Sequence, residues 1–357
     1  MIINQWVPAA HRGDAIGDSA RRVRALLRKM GHRSDVYALT IDESLDGDVR
    51  RFGEDGTSAG DLTILHYALP SPMTADFAAL PRGRVLQYHN VTPAHFFAPY
   101  DPALFRLARL GRQDLASLAG RVDLALGDSE YNRRELEELG FGPTGVFPIA
   151  VSWDRITAAP RLPALEEVLA DGLLNFLFVG RIAPNKRVED LLLLGEHFKR
   201  YVNVDYRFLF VGRYDVVPRY HAMLRAMILQ YEMPKERFLF VGEVTDDELA
   251  AYYRTADVYI SLSEHEGFCV PLIEAMAADV PVLAYAAGAV PDTLGGAGVV
   301  FSPKDLEMAA ELLGILAIDD DVRARVVAGQ RRRLLDFGDE VIERHLAGLI
   351  GRAAQGC

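Results

Sequence analysis

Phe-Leu-Phe-Val-Gly stands three times in this sequence, at residues 176–180, 208–212 and 238–242. Each copy is a continuous apolar run closed by a glycine. An apolar run without alternation is how a strand covered on both faces reads, and the closing glycine frees the chain to turn sharply. The spacing is that of a strand, a crossover helix and the next strand. The segments between the copies, 188–201 and 217–231, carry helical patterns but differ from each other. The reading is therefore successive strands of one parallel sheet rather than a repeat array.

Working outward, further strands are expected at 258–262, 282–285 and 298–301, with helices at 246–253, 271–278, 306–317, 321–335 and 340–352. The first half alternates in the same way. Strands are expected at 2–7, 35–39, 62–69, 85–89, 122–127 and 145–149, and helices at 15–30, 103–119 and 131–139. Between the halves, residues 152–172 are looser, with Pro160, Pro163 and a short helix near 165–170. The fold class is α/β, with two doubly wound, Rossmann-like domains. The expected division is 1–155, a linker at 156–172, a second domain at 173–335, and a last helix in 336–357 that could return to the first domain. Ligands of such sheets bind beyond the carboxyl ends of the strands, so a cleft between two facing domains is the expected site.

The chain has 357 residues, enough for two cores. A formal net charge of -11 argues against a general nucleic-acid binder, which would carry a basic excess. Two cysteines, Cys269 and Cys357, make no disulfide framework. The first residues lack a basic leader pattern, and no apolar run is long enough to span a bilayer. A cytoplasmic protein is the expectation.

Two segments carry chemistry. Residues 263–277 read S-E-H-E-G-F-C-V-P-L-I-E-A-M-A. A strand precedes them, and Pro271 fits the start of a helix, where its missing N–H costs nothing. The loop thus leads into a helix N-terminus, which favours an anion, and Gly267 permits close backbone approach. Glu274 falls one turn inside that helix among apolar residues and needs a partner there. The second segment is Gly180-Arg181-Ile182-Ala183-Pro184-Asn185-Lys186, after the first Phe-Leu-Phe-Val-Gly strand. Arg181 offers a planar fork for phosphate oxygens and Lys186 a point charge. No metal-binding spacing of Cys and His is present.

Together with Gly242-Glu243-Val244-Thr245-Asp246 and Ala256-Asp257-Val258, these segments resemble the donor domain of retaining family-4 glycosyltransferases of the GT-B fold. The Glu266–Glu274 spacing, within Glu266-Gly267-Phe268-Cys269-Val270-Pro271-Leu272-Ile273-Glu274-Ala275-Met276, is similar to that family's E-x7-E signature. Residues 285–292 resemble its next loop, with Ala289 and Asp292 in place of the usual Gly and Glu. The resemblance implies that Arg181 and Lys186 bind a donor diphosphate and that Glu274 accepts from ribose hydroxyls. It implies that Glu266 holds a sugar hydroxyl, with Val244, Gly267, Phe268, Cys269 and Val270 lining the donor.

The first half resembles the acceptor domain more loosely. Gly17, in Gly13-Asp14-Ala15-Ile16-Gly17-Asp18-Ser19, is the counterpart of a glycine-rich loop, and a plain strand-to-helix turn capped by Asp18 or Ser19 is the structural alternative. His89, closing Gln87-Tyr88-His89-Asn90, matches a position close to the donor sugar. Asp18, Asn90 and Arg133 are implied on the acceptor side. The implied reaction is retaining transfer of a hexose, mannose or glucose, from a GDP- or UDP-linked donor to a glycan or lipid-linked acceptor. His89, Glu266, Arg181 and Lys186 are the catalytic set, without cofactor or metal. A sugar-nucleotide 2-epimerase and a non-catalytic sugar-nucleotide binder are the alternatives.

Arg21, Arg22, Arg24, Arg28, Lys29 and Arg33 crowd one amphipathic helix and its end. The plain reading is a core-facing helix with a basic solvent face; the sharper one is peripheral contact with an anionic membrane at its inner face or with a lipid-diphosphate acceptor, with Arg106, Arg109 and Arg112 extending the patch.

Overall fold

The computed structural model describes residues 1–11, 13–203 and 205–355, so Cys357 lies outside the described residues. Its chain divides into two units. The first takes in residues 1–94, 103–152 and 335–357, and the second residues 95–102 and 153–334.

Unit one holds a seven-stranded sheet of β1 (Ile3–Ala10), β2 (Val36–Ile41), β3 (Arg50–Arg51), β4 (Leu62–Tyr67), β5 (Arg84–Tyr88), β6 (Leu124–Gly127) and β7 (Thr144–Val146). Unit two holds a six-stranded sheet of β8 (Leu174–Val179), β9 (Tyr206–Val211), β10 (Phe238–Gly242), β11 (Val258–Ser261), β12 (Val282–Tyr285) and β13 (Val299–Phe301). Every strand pair in both sheets is parallel. The helices are α1 (Ala15–Lys29), α2 (Met73–Ala79), α3 (Pro102–Ser117), α4 (Glu130–Glu138), α5 (Asp154–Thr157), α6 (Pro163–Leu169), α7 (Val188–Tyr201), α8 (Pro218–Gln230), α9 (Asp246–Thr255), α10 (Val270–Ala277), α11 (Val290–Leu294), α12 (Leu306–Ile318), α13 (Asp320–Leu334) and α14 (Asp339–Gln355).

Strand order is β3-β2-β1-β4-β5-β6-β7 in the first sheet and β10-β9-β8-β11-β12-β13 in the second. The chain therefore reverses its direction of growth between β1 and β4, and again between β8 and β11. Those two switch points are where an open parallel sheet leaves a crevice beyond its strand ends. The three Phe-Leu-Phe-Val-Gly runs are the adjacent strands β8, β9 and β10, and their glycines adopt φ of +151°, +132° and +91°. A side chain at Gly212 would place its Cβ 2.3 Å from the Gly180 carbonyl oxygen, so the turn between these strand ends requires a residue without one.

Residues 156–172 are not a bare linker. They carry the end of α5 and all of α6, and they fold with unit two. Arg254 reaches Glu166 and the carbonyls of Ala159 and Pro160, tying this stretch to α9. The last helix, α14, packs Ile342, Leu346, Leu349 and Ile350 into the core of unit one with Val23, Leu27, Leu62 and Leu126. Among the described residues, no helix is long and apolar enough to cross a membrane.

Candidate functional site

In unit two, the loops after β8 and β11 meet at the switch point, and the first of them carries Arg181 and Lys186. Two hydrogen bonds lock the loops together. Asn185 Nδ2 donates to the His265 carbonyl at 3.1 Å, and the Glu264 N–H donates to the Asn185 carbonyl at 2.9 Å. This lock sets Lys186 Nζ 2.6 Å from both oxygens of Glu266. Both side chains are largely buried, so each charge needs the other. Arg181 differs: it is exposed and makes no hydrogen bond or ion pair among the described residues. The site thus holds one cation already matched by a carboxylate and one unmatched.

The Glu266 loop is backed from behind. Gly288 adopts φ +56°, and a Cβ there would sit 2.6 Å from the Glu266 carbonyl oxygen. The Ala289 N–H donates to that same oxygen at 3.0 Å, and Thr293 Oγ1 donates to the Phe268 carbonyl at 2.5 Å. The chain enters α10 through Cys269, whose φ of +70° is rare for a residue with a side chain. Burial pushes the Cys269 thiol well above its usual range. Gly267, Phe268, Cys269 and Val270 therefore form a fixed entry to a helix N-terminus.

Glu274 is buried inside α10 at 1% exposure, not on a solvent face. Its partners are Tyr253 OH, which donates to Oε2 at 2.9 Å, and Arg155 Nη2, which donates to Oε1. Arg155 also reaches Asp246 Oδ1 at 3.0 Å in the first turn of α9. Burial and the neighbouring Glu274 carboxylate push the Tyr253 phenol well up, so it remains a donor. Val244 lies in the turn just before α9, half-buried.

In unit one, His89 follows β5 and is buried. Its Nδ1 lies 2.7 Å from Asp128 Oδ2, and its Nε2 lies 2.9 Å from His66 Nδ1. The row continues from His66 Nε2 to Gln5 Oε1 at 3.0 Å. Backbone carbonyls orient both end amides, because a carbonyl can only accept. Gln5 Nε2 donates to Ala20 O, and Gln87 Nε2 donates to Phe147 O as well as to Asp128 Oδ1. His66 Nε2 must then carry a proton for Gln5, and the His66–His89 and His89–Asp128 gaps each take one more. The row holds three protons where two neutral imidazoles and a carboxylate would bring two, so it is neutral overall. Burial pushes Asp128 up, and burial with the adjacent His89 pushes His66 well down, both toward uncharged forms.

The other expected residues of unit one are occupied locally. Gly17 lies inside the first turn of α1, where its N–H donates to Asp14 Oδ2 at 3.1 Å. The cap is therefore Asp14, not Asp18 or Ser19, because Gly13, at φ +73°, starts the helix earlier. Asp18 pairs with Arg21, and Ser19 Oγ accepts from the Ala150 N–H. Asn90 Nδ2 donates to Asn132 Oδ1 at 2.8 Å, and Arg133 is shared between Glu130 and Glu137.

The basic helix is largely neutralised. Arg21 and Arg24 pair with Asp48, Arg22 with Asp339, Arg28 with Asp35 and Lys29 with Glu343. Only Arg33 of that group has no partner among the described residues. The charge excess that suggested membrane attraction is thus met within unit one.

His66, Asp128, Arg155 and Tyr253 escaped the sequence reading as site residues. His66 had a signal, a polar residue near the end of the apolar run of β4, beside the strand that His89 follows. Arg155 had none, since it sits in the irregular stretch between the halves. Among the described residues, no group of three or more His, Cys, Asp or Glu could hold a metal ion.

Residues 166–333 match the family model described as glycosyl transferases group 1. A GDP-mannose-dependent alpha-mannosyltransferase of Mycolicibacterium smegmatis is 40% identical over 111 residues, 31% of this chain and 25% of the relative. A D-inositol 3-phosphate glycosyltransferase of Xylanimonas cellulosilytica is 30% identical over 272 residues, 72% of this chain and 57% of the relative. The chain thus spans less than two thirds of the length of either. Anabaena HepE, solved in complex with UDP-glucose, matches with a TM-score of 0.75 at 16% identity, covering 98% of this chain and 99% of its own. Sucrose-phosphate synthase from Thermosynechococcus elongatus matches with a TM-score of 0.73 at 18% identity, covering all of both chains. At such identities the likeness shows the fold alone, the GT-B pair of Rossmann-like domains expected from the motifs.

Proposed function

We propose that this chain, whose residues 166–333 match the glycosyl transferases group 1 family model, transfers a hexose, mannose or glucose, from a GDP- or UDP-linked donor to a hydroxyl of a glycan or lipid-linked acceptor, with retention at the anomeric carbon. The observation that carries this reading is the pairing of Lys186 with Glu266, 2.6 Å apart, on a loop that also carries the unmatched Arg181. A diphosphate brings the negative charge that Arg181 lacks and competes for Lys186. Glu266, released from sole duty to the lysine, then accepts a hydrogen from a sugar hydroxyl. The helix entry at Phe268–Val270 adds backbone donors and a favourable dipole.

The bond between the anomeric carbon and the diphosphate oxygen breaks, and the acceptor oxygen bonds to that carbon on the same face. The acceptor's proton passes to the departing phosphate. Arg181 and Lys186 stabilise the charge that builds on the diphosphate, an electrostatic contribution that grows as the bond breaks. Both nitrogens of His89 are engaged, so it reaches a sugar hydroxyl only by releasing His66 or Asp128. The GDP-mannose named for the Mycolicibacterium relative supports the donor class.

The test is a panel of nucleotide sugars with glycan and lipid-linked acceptors, read by product NMR at the anomeric proton. Retention is expected. Inverted product, or donor consumed only by epimerisation, overturns the reading. Glu266→Ala should lower kcat at least about tenfold with nucleotide affinity kept, and Glu274→Ala should weaken nucleotide binding by a similar factor.

A further inference from the structure

Building on the nucleotide-sugar reading, we propose that Arg155, which lies outside the matched family segment, is a positioning residue for the ribose subsite, holding the Glu274 carboxylate ready for two adjacent hydroxyls. A carboxylate has roughly four lone-pair directions. Arg155 uses one on Oε1 and Tyr253 uses one on Oε2. One direction stays available on each oxygen, the pattern that a vicinal diol satisfies.

The carboxylate could not serve in this way unaided. A carboxylate at 1% exposure needs a charged, hydrogen-bonding partner. Tyr253 supplies a hydrogen bond but no charge. Arg155 supplies both, and its second terminal nitrogen is anchored on Asp246 Oδ1 at 3.0 Å. The guanidinium is thereby stretched between the first turn of α9 and the middle of α10. That anchorage fixes the plane of the carboxylate as well as its charge, which a lysine ammonium could not do. Three elements of unit two, α5, α9 and α10, converge on this one carboxylate.

The test is calorimetric binding of GDP and UDP, and of their 2′-deoxy and 3′-deoxy forms, to the wild-type chain and to Arg155→Ala, Arg155→Lys and Arg155→Gln. The wild type should prefer the ribonucleotides by about tenfold or more, as a site built for hydroxyls does. Arg155→Ala should weaken GDP or UDP binding by about tenfold to a hundredfold and collapse the ribo-to-deoxy ratio toward one. Arg155→Lys should recover part of the affinity and less of the ratio. In transfer assays KM for the donor should rise more than kcat falls. Weaker binding with the ratio intact in every variant would make Arg155 a merely structural contact and overturn the proposal, as would unchanged binding. The glutamine variant keeps a polar side chain without the charge if alanine fails to fold. A wild type that binds no nucleoside diphosphate would sink the nucleotide-sugar reading itself.

Discussion

At the scale of single residues, the two site carboxylates differ in the partners the fold gives them. Glu266 faces a lysine that a diphosphate can draw away, whereas Glu274 faces an arginine and a phenol that can stay. The buried row in unit one follows another logic, because its members balance charge among themselves. His66 stays neutral in the fold below the pH at which a free imidazole, near 6.5, takes a proton. The unfolded chain then binds more protons than the native one. Stability attributable to His66 is present above roughly pH 6.5 and falls as the pH drops, with a limiting slope of about 1.4 kcal/mol per pH unit. Asp128 acts oppositely: its raised value means that its contribution is present in acid and lost as pH climbs above the ordinary carboxylate range, near 3.9. Denaturant melts of unit one between pH 5 and 8 should show the acid limb, and His66→Gln should flatten it by about one proton's slope. An unchanged limb in that variant would assign the acid loss to other groups.

At the scale of elements, the packing of the segment before α11 against the Glu266 loop decides how exactly the site is held. Replacing Gly288 by alanine forces φ +56° on a residue with a Cβ, and puts that carbon against the Glu266 backbone. The strain is of order 1–3 kcal/mol. The variant should stay folded, while transfer falls about tenfold or more because Glu266 is displaced. A Gly288→Ala protein with normal kcat would show that the loop tolerates the shift. Much at this scale was legible beforehand. Apolar runs closed by glycine marked β8, β9 and β10, and the Glu266–Glu274 spacing marked the loop that enters α10. What the sequence hid had no local signal. The strand β3 is two residues long, α2 and α11 are short, and α5 lies in a stretch whose prolines read as linker, where only α6 was expected, near 165–170. The fate of the basic helix was also hidden, because Asp339 and Glu343 answer it from 317 and 314 residues away. Arg155 belongs to the same class, meeting Glu274 across 119 residues.

At the scale of the whole molecule, two units each close their own core, and the chain crosses between them more than once. Residues 335–357 belong with the first unit although they follow the second in sequence. The residues proposed to hold the donor, Arg181, Lys186, Glu266, Glu274 and Arg155, all lie in unit two. Two perturbations should therefore act separately in calorimetry. Leu346→Ala removes a fully buried side chain from the α14 contact and should lower the transition of unit one by about 2–5 kcal/mol. A nucleoside diphosphate at 100 times its dissociation constant should raise the transition of unit two by about 2.7 kcal/mol and leave the first in place. If the nucleotide lifts both transitions, unit one also contributes to the donor site, and the residues to search first are those at the β1–β4 switch point. If one transition responds to both changes, the two cores unfold as a single cooperative body, and the separate bookkeeping of their stabilities fails.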